Sequence, residues 1–181
     1  MDERVFIGVG SNMGDGFRHC AEAVKRMLAD SRGKFVALSS FYTTSPVSPV
    51  PQDDFANCAL ALTWSASPAD LLLLLNRIEA DMGRIRVIPL GPRMIDLDIL
   101  LFGETVVHTP ALTIPHPELH RRRFALVPCI EIDPSVIHPV YNRPLASFLD
   151  HIDPSQELSV ALSARDALAL AFSPTGEGRH K

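Results

Sequence analysis

The first apolar run, RVFIGVG at 4–10, ends in glycine and predicts a strand, and SNMGDG follows it as a turn. From Asp15 the period changes. Phe17, Cys20, Ala21, Val24, Met27 and Leu28 recur at helical spacing, with Arg18, Glu22, Lys25 and Arg26 between them. This is an amphipathic helix with Asp15 as its N-cap and an end near Gly33. KFVALSSFYTT at 34–44 predicts a second strand, and FANCALALTW at 55–64 a third. Between them, SPVSPVPQDD has three prolines in ten residues and must be a loop, long enough to mark function rather than simple connection. Ser67 then caps a second helix, with Pro68 at its first position and Asp70 in its first turn. Leu71, Leu74, Leu75, Ile78 and Met82 form its buried stripe, and Gly83 stops it. A fourth strand lies in GPRMIDLDILLFG at 91–103.

The order β-α-β-β-α-β is the split βαβ arrangement of a ferredoxin-like α+β fold, with both helices on one face of an antiparallel sheet. The other face is left for a site or for further chain. The remainder is Pro-rich and irregular, with a short helix expected at Pro144–Ile152. After about Asp153 it becomes Ala- and Ser-rich and ends in SPTGEGRHK. The expected organisation is one domain over 1–153 and a tail over 154–181, partly disordered or holding a short helix.

Composition narrows this picture. The chain has 181 residues, 46% apolar and 21% charged, which suits one globular domain with a proper core. A net charge of -4 gives no whole-chain attraction to nucleic acid or membrane. Cys20, Cys58 and Cys129 are odd in number and form no CxxC, which fits reduced thiols in a cytoplasmic protein. Asp2, Glu3 and Arg4 lead straight into the first strand with no signal-peptide pattern, and the longest apolar run, Leu71 to Leu75, is too short to span a bilayer.

The candidate chemistry lies in the fourth strand. Period-two alternation puts Ile95, Leu97, Ile99 and Leu101 on one face and Asp96, Asp98, Leu100 and Phe102 on the other. Carboxylates at i and i+2 stand roughly 7 Å apart at their bases and can converge on small cations. A half-solvated strand would also place acids so, but Leu100 and Phe102 continue this face. Like charges this close repel unless something positive sits between them. Hard carboxylate oxygens suit Mg²⁺ shared with substrate phosphates. Arg84, Arg86 and Arg93 precede the acids and Arg121, Arg122 and Arg123 follow, six of the seventeen basic residues. Guanidinium groups grip phosphate oxygens, so acids and arginines together are equipment for phosphoryl-type transfer. Phe55 and Asn57 share a strand face and could stack on and hydrogen-bond a flat heterocycle. Gly8, Gly10 and Gly14 lie between a strand and a helix, but their spacing is not the dinucleotide fingerprint, and they are expected to serve a turn with close backbone packing.

Together with GSN (10–12), SSFYTTSPV (39–47), FANCALAL (55–62), RIEADMGR (77–84) and HPELHRRRFALVP (116–128), the fourth-strand motif resembles the 6-hydroxymethyl-7,8-dihydropterin pyrophosphokinase family, from about Val5 to Ile152. The resemblance implies the ferredoxin-like fold and transfer of pyrophosphate from ATP to the pterin hydroxymethyl oxygen, with release of AMP. It implies Asp96 and Asp98 as ligands of two Mg²⁺ ions, and Arg84, Arg93 and Asp98 as catalytic residues. It implies ATP contacts at Asn76, Glu79, Arg84, Arg93, Ile99, Thr113, His116 and Arg122. Pterin contacts are implied at Thr44, Ser45, Val47, Phe55, Asn57, Asp96 and Phe124, with Phe55 and Phe124 as the two walls of a slot. The expected partners are ATP and the pterin, with no nucleic acid or membrane, and the protein is expected to be a cytoplasmic monomer. RVIPLGPR (86–93) departs from the family in having Pro89 and Leu90 where members usually carry a basic and an aromatic residue. A non-catalytic pterin- or nucleotide-binding paralogue and a ferredoxin-like RNA-binding module are the alternatives.

Overall fold

The structure, a computed structural model, describes residues 2–46, 51–83 and 91–173. Its elements begin with β1 (Glu3–Ser11), α1 (Gly16–Leu28), β2 (Gly33–Leu38), β3 (Phe41–Thr44), β4 (Phe55–Trp64), α2 (Pro68–Asp81) and β5 (Asp96–Phe102). The caps fall as the sequence predicts. Asp15 accepts from the Arg18 N–H at 3.1 Å. Ser67 and Asp70 form a reciprocal capping box, with bonds of 3.1 and 3.2 Å.

β1 is central. It pairs antiparallel with β4 from Glu3↔Trp64 to Ser11↔Ala56, and with β5 from Val5↔Phe102 to Gly10↔Asp96. β2 and β3 both pair with β4 on its far side. The strand expected over 34–44 is thus broken in two at Ser39 and Ser40. Here hydroxyls take over from the ladder. The Ser39 hydroxyl accepts from the Ala59 N–H at 2.9 Å and donates to the Ser40 carbonyl at 2.8 Å. The Glu131 carboxylate accepts from the Ser40 N–H at 2.9 Å, the Ser40 hydroxyl at 2.7 Å and the Tyr42 hydroxyl at 2.7 Å.

β5 also departs from the expected alternation. Phe6 stands opposite Leu101 and Ile7 opposite Ile99, so Leu100 is an extra residue in a β-bulge. Beyond the bulge the faces exchange. Phe102 joins Ile95, Leu97 and Ile99 in the core under the helices, and Leu101 joins Leu100 on the opposite face.

Later elements are the short hairpins β6 (Val107–His108) with β7 (Thr113–Ile114) and β8 (Ile137–His138) with β9 (Arg143–Pro144), and the helix α3 (Arg123–Ile132). The short helix expected near 144–152 is a 3₁₀ helix over Leu145–His151. The segment after Asp153, expected as a tail, gives β10 (Leu158–Leu162) and α4 (Ala164–Phe172). β10 pairs with β3 and completes the sheet order β10-β3-β4-β1-β5. α4 packs on α1, and its small Ala167 and Ala171, both buried, let the two helices approach closely. The expected order or disorder of the last residues lies outside the described residues.

The sheet has a core on each face. Under α1 and α2 lie Val5, Ile7, Val9, Leu60, Leu62 and Trp64, packed against Val24, Met27, Leu71, Leu75 and Ile78. On the opposite face Phe6, Ala59, Ala61, Leu100 and Leu101 pack against Leu126 and Cys129 of α3 and against Leu145 and Phe148. α3 and the 3₁₀ helix therefore cover one end of this face, and the site occupies the other. No helix among the described residues is long and apolar enough to cross a membrane.

Candidate active site

The cavity floor is the end of the sheet where β1 and β5 run side by side. Gly8 and Gly10 of β1 lie beside Leu100, Asp98 and Asp96 of β5, with Gly8↔Asp98 and Gly10↔Asp96 paired in register. The two glycines are strand residues rather than turn residues. A Cβ on Gly10 would sit 2.7 Å from Asn57 Oδ1, and one on Gly8 would sit 3.3 Å from the Leu100 side chain. Their missing side chains leave room for the groups that line the cavity. Gly14, with φ +60°, does occupy the turn.

Phe55 and Asn57 enter from β4, Thr44 and Ser45 from the end of β3, and Arg122, Phe124 and Ala125 from the start of α3. Asn57 is nearly buried and its Nδ2 donates to Thr44 Oγ1 at 2.6 Å. The Arg122 guanidinium lies 5.8 Å over the Phe124 ring. These residues bring an aromatic slot and an amide edge to the same cavity as the two acids.

Arg93 forms an ion pair with Asp96. Its backbone is held by Asn12: the Arg93 N–H donates to Asn12 Oδ1 at 2.8 Å, and the Asn12 N–H donates to the Arg93 carbonyl at 3.1 Å. Asn12 Nδ2 also donates to Gln52 Oε1 at 2.9 Å and to the Asp53 carbonyl at 3.2 Å. His116 Nε2 lies 3.9 Å from Asp98 Oδ2, while His116 Nδ1 accepts from the Glu118 N–H at 3.1 Å. That bond places the proton of the neutral ring on Nε2, facing the cavity. Burial holds the His116 pKa below its ordinary value, with Asp98 opposing and Arg122 adding to the depression.

The structure thus brings together Thr44, Ser45, Phe55, Asn57, Arg93, Asp96, Asp98, His116, Arg122 and Phe124. Four residues expected at the nucleotide do not line this cavity. Glu79 is 5% exposed and its Oε1 accepts the Leu97 N–H at 2.7 Å, so it holds β5 from beneath, between the two acids. Ile99 is in the core under the helices. Asn76 is exposed on α2, and Thr113 lies in β7. Arg84, Val47 and the departing segment before Gly91 lie outside the described residues. The sequence reading missed Gln52 and the cavity-side roles of Gly8, Gly10 and Leu100. The signs were partial: Leu100 shares the face of the two acids, Gly8 and Gly10 marked close backbone packing, and Gln52 is a polar residue at the end of the Pro-rich loop.

Among the described residues no group of three or more His, Cys, Asp and Glu could by itself hold a metal ion. Asp96 and Asp98 offer hard oxygen donors on one strand face, a set that fits Mg²⁺ completed by phosphate oxygens and water.

The model of the family described as "7,8-dihydro-6-hydroxymethylpterin-pyrophosphokinase (HPPK)" matches residues 6–134. A 2-amino-4-hydroxy-6-hydroxymethyldihydropteridine pyrophosphokinase from Aquifex aeolicus is 36% identical over 144 residues, covering 80% of this chain and 89% of its own length. A protein of the same name from Haemophilus influenzae is 36% identical over 149 residues, covering 81% and 93%. The solved structure of wild-type Plasmodium falciparum HPPK-DHPS superposes with a TM-score of 0.65 at 14% identity, over 83% of this chain and 45% of that chain. At that identity it supports the fold, and this chain spans less than half of that longer one. With the family model matched through both helices, β5 and α3, the chain belongs to the 7,8-dihydro-6-hydroxymethylpterin-pyrophosphokinase family.

Proposed function

We infer that the protein transfers pyrophosphate from ATP to the hydroxyl of 6-hydroxymethyl-7,8-dihydropterin, releasing AMP, as a step of folate biosynthesis. One observation carries this: a single cavity joins the Phe55, Phe124 and Asn57 slot to the Asp96, Asp98, Arg93 and Arg122 cluster. The slot suits a flat pterin, and the cluster suits a triphosphate. All of these groups come from one chain, which supports action as a monomer. The three free, buried cysteines and the need for ATP support a cytoplasmic location.

In this reading Phe55 and Phe124 stack on the pterin, and Asn57, oriented by Thr44, meets its polar edge. Arg93 exchanges Asp96 for phosphate oxygens when ATP arrives, because the triphosphate carries more charge than one carboxylate. Arg122 and the Nε2–H of His116 meet the triphosphate from the opposite wall. Asp96 and Asp98 would hold Mg²⁺, two ions on this reading, whose chemistry when bound is to offset phosphate charge and acidify the pterin hydroxyl. The hydroxyl oxygen forms a bond to the β-phosphorus. The bond from that phosphorus to the α,β-bridging oxygen breaks, and AMP departs with that oxygen. The hydroxyl proton passes to Asp98 or water. Positioning and charge neutralisation do most of the work, as is usual for such transfers.

The test is a nucleotide product assay with Mg²⁺, ATP and the pterin. AMP is the expected product, and ADP would overturn the assignment. Asp96→Asn and Asp98→Asn are expected to lower turnover ~1000-fold or more while pterin alone still binds. Near-normal turnover in either variant removes the proposed metal role. Pterin binding without AMP release by the wild type would identify a non-catalytic binder.

A further inference from the structure

Gln156 lies beyond the residues matched to the family model, yet it touches the wall of the site. α3 begins without a cap of its own: Arg122 is its N-cap residue and makes no side-chain cap bond. The first N–H groups of a helix have no partner within it. The Arg123 N–H donates instead to Gln156 Oε1 at 2.9 Å, and Gln156 Nε2 donates to the Arg121 carbonyl at 3.0 Å. One side-chain amide therefore grips the backbone on both sides of Arg122, as an adjacent strand would.

The backbone that carries this side chain is itself fixed. The Gln156 N–H donates to the Asp153 carbonyl at 3.0 Å, and the Asp153 carboxylate accepts the Ser155 N–H at 2.9 Å. This is a turn braced by its first residue. The chain then runs directly to the other wall. The Glu157 carbonyl accepts the Ser45 N–H at 3.4 Å, and Leu158 pairs with Thr44 in β10 and β3.

We propose that Gln156 is a positioning residue that holds Arg122 and Phe124 in the site and ties them to the Thr44–Ser45 edge. Arg122 is extended, with φ -118° and ψ 110°, just before the helix starts. Without the clamp the Arg121 carbonyl and the Arg123 N–H exchange the amide for water. The backbone at Arg122 then keeps only its N–H bond to the Leu119 carbonyl at 3.4 Å and its carbonyl bonds from the Ala125 and Leu126 N–H groups at 3.1 and 3.0 Å. Arg122 and Phe124 then lose their shared setting, because both side chains leave from the same uncapped end.

The inference rests on the pyrophosphokinase reading, so wild-type AMP release is measured alongside. In the full chain, Gln156→Ala is expected to raise the KM for ATP and pterin and lower kcat, with kcat/KM falling ~10-fold or more. Gln156→Glu keeps the acceptor for the Arg123 N–H but loses the donor to Arg121, and falls between the two. In an Arg122→Ala background the Gln156→Ala effect on the KM for ATP shrinks towards none, since the clamp acts through Arg122. Hydrogen exchange of the Arg123 amide quickens ~10-fold in Gln156→Ala while β1 amides keep their protection.

Wild-type kinetics in Gln156→Ala overturn the proposal, with or without a change in exchange. So does loss of β1 protection together with activity, which would mark a general fold defect. Unchanged Arg123 exchange overturns it by removing the clamp itself. If the wild type releases no AMP, the functional reading fails, and the exchange measurement still decides the clamp.

Discussion

A methyl group on Gly10 would lie 2.7 Å from Asn57 Oδ1, well inside carbon–oxygen contact distance. Asn57 would have to swing away, and its 2.6 Å bond to Thr44 would break. Gly10→Ala is therefore expected to weaken pterin binding ~10-fold or more, because a polar edge then meets no fixed partner. Fluorescence titration with pterin reads this directly. Unchanged affinity would show that Asn57 does not set the slot. Glu79 carries a different lesson at the same scale. Its spacing from Leu75 and next to Ile78 puts a carboxylate on the buried stripe of α2, a feature visible in the sequence. The family resemblance suggests a nucleotide contact, but its carboxylate serves the Leu97 N–H between the two acids. A charge inside an apolar stripe signals a buried partner without saying which one. The acid pair itself was legible, because two carboxylates interrupted an otherwise apolar strand.

At the scale of elements, period and capping residues were enough to find both long helices and the strands β1, β4 and β5. They could not find the breaks. Ile99, Leu100, Leu101 and Phe102 are all apolar, so nothing in the sequence marks where the bulge exchanges faces. The interruption at Ser39 and Ser40 depends on a carboxylate from α3, far along the chain. Glu131→Ala would leave the Ser40 N–H, its hydroxyl and the Tyr42 hydroxyl short of an acceptor. A loss of ~1–3 kcal/mol is expected in urea unfolding, since the exposed rim of this cluster can recruit water. The Tyr42 hydroxyl, whose pKa is raised by burial and then by its bond to Glu131, should titrate at lower pH in that variant. A shift in the opposite direction would refute this account of the cluster.

Across the whole molecule, the second face of the sheet was the least legible part. Its cover comes from α3 and a 3₁₀ helix, which lack the long amphipathic periods of α1 and α2. One consequence is a titration. His138 is 3% exposed and packs against the rings of Tyr141, Phe148 and His120 at 4.7, 5.8 and 6.1 Å. Burial, with His120 adding to it, pushes its pKa down from 6.5 to about 4. Above 6.5 both states hold the ring neutral. As the pH falls from there towards 4, the unfolded chain takes a proton that the folded chain refuses, and stability falls. The loss should reach roughly 1–3 kcal/mol across that window. Urea unfolding at pH 7 and pH 5 measures it, and His138→Phe should flatten the dependence. An equal slope in that variant would place the effect elsewhere. The edge strand β10 has a consequence of another kind. As the chain leaves the ribosome, β1 to β5 and both long helices emerge first, with Phe6, Leu100 and Leu101 on the second face still lacking their cover. The Arg122 wall and the strand that borders Thr44 are synthesised afterwards. A chain that has emerged only as far as β5 therefore lacks the Arg122 and Phe124 wall, and the Thr44 edge gains its neighbour only when β10 pairs with β3.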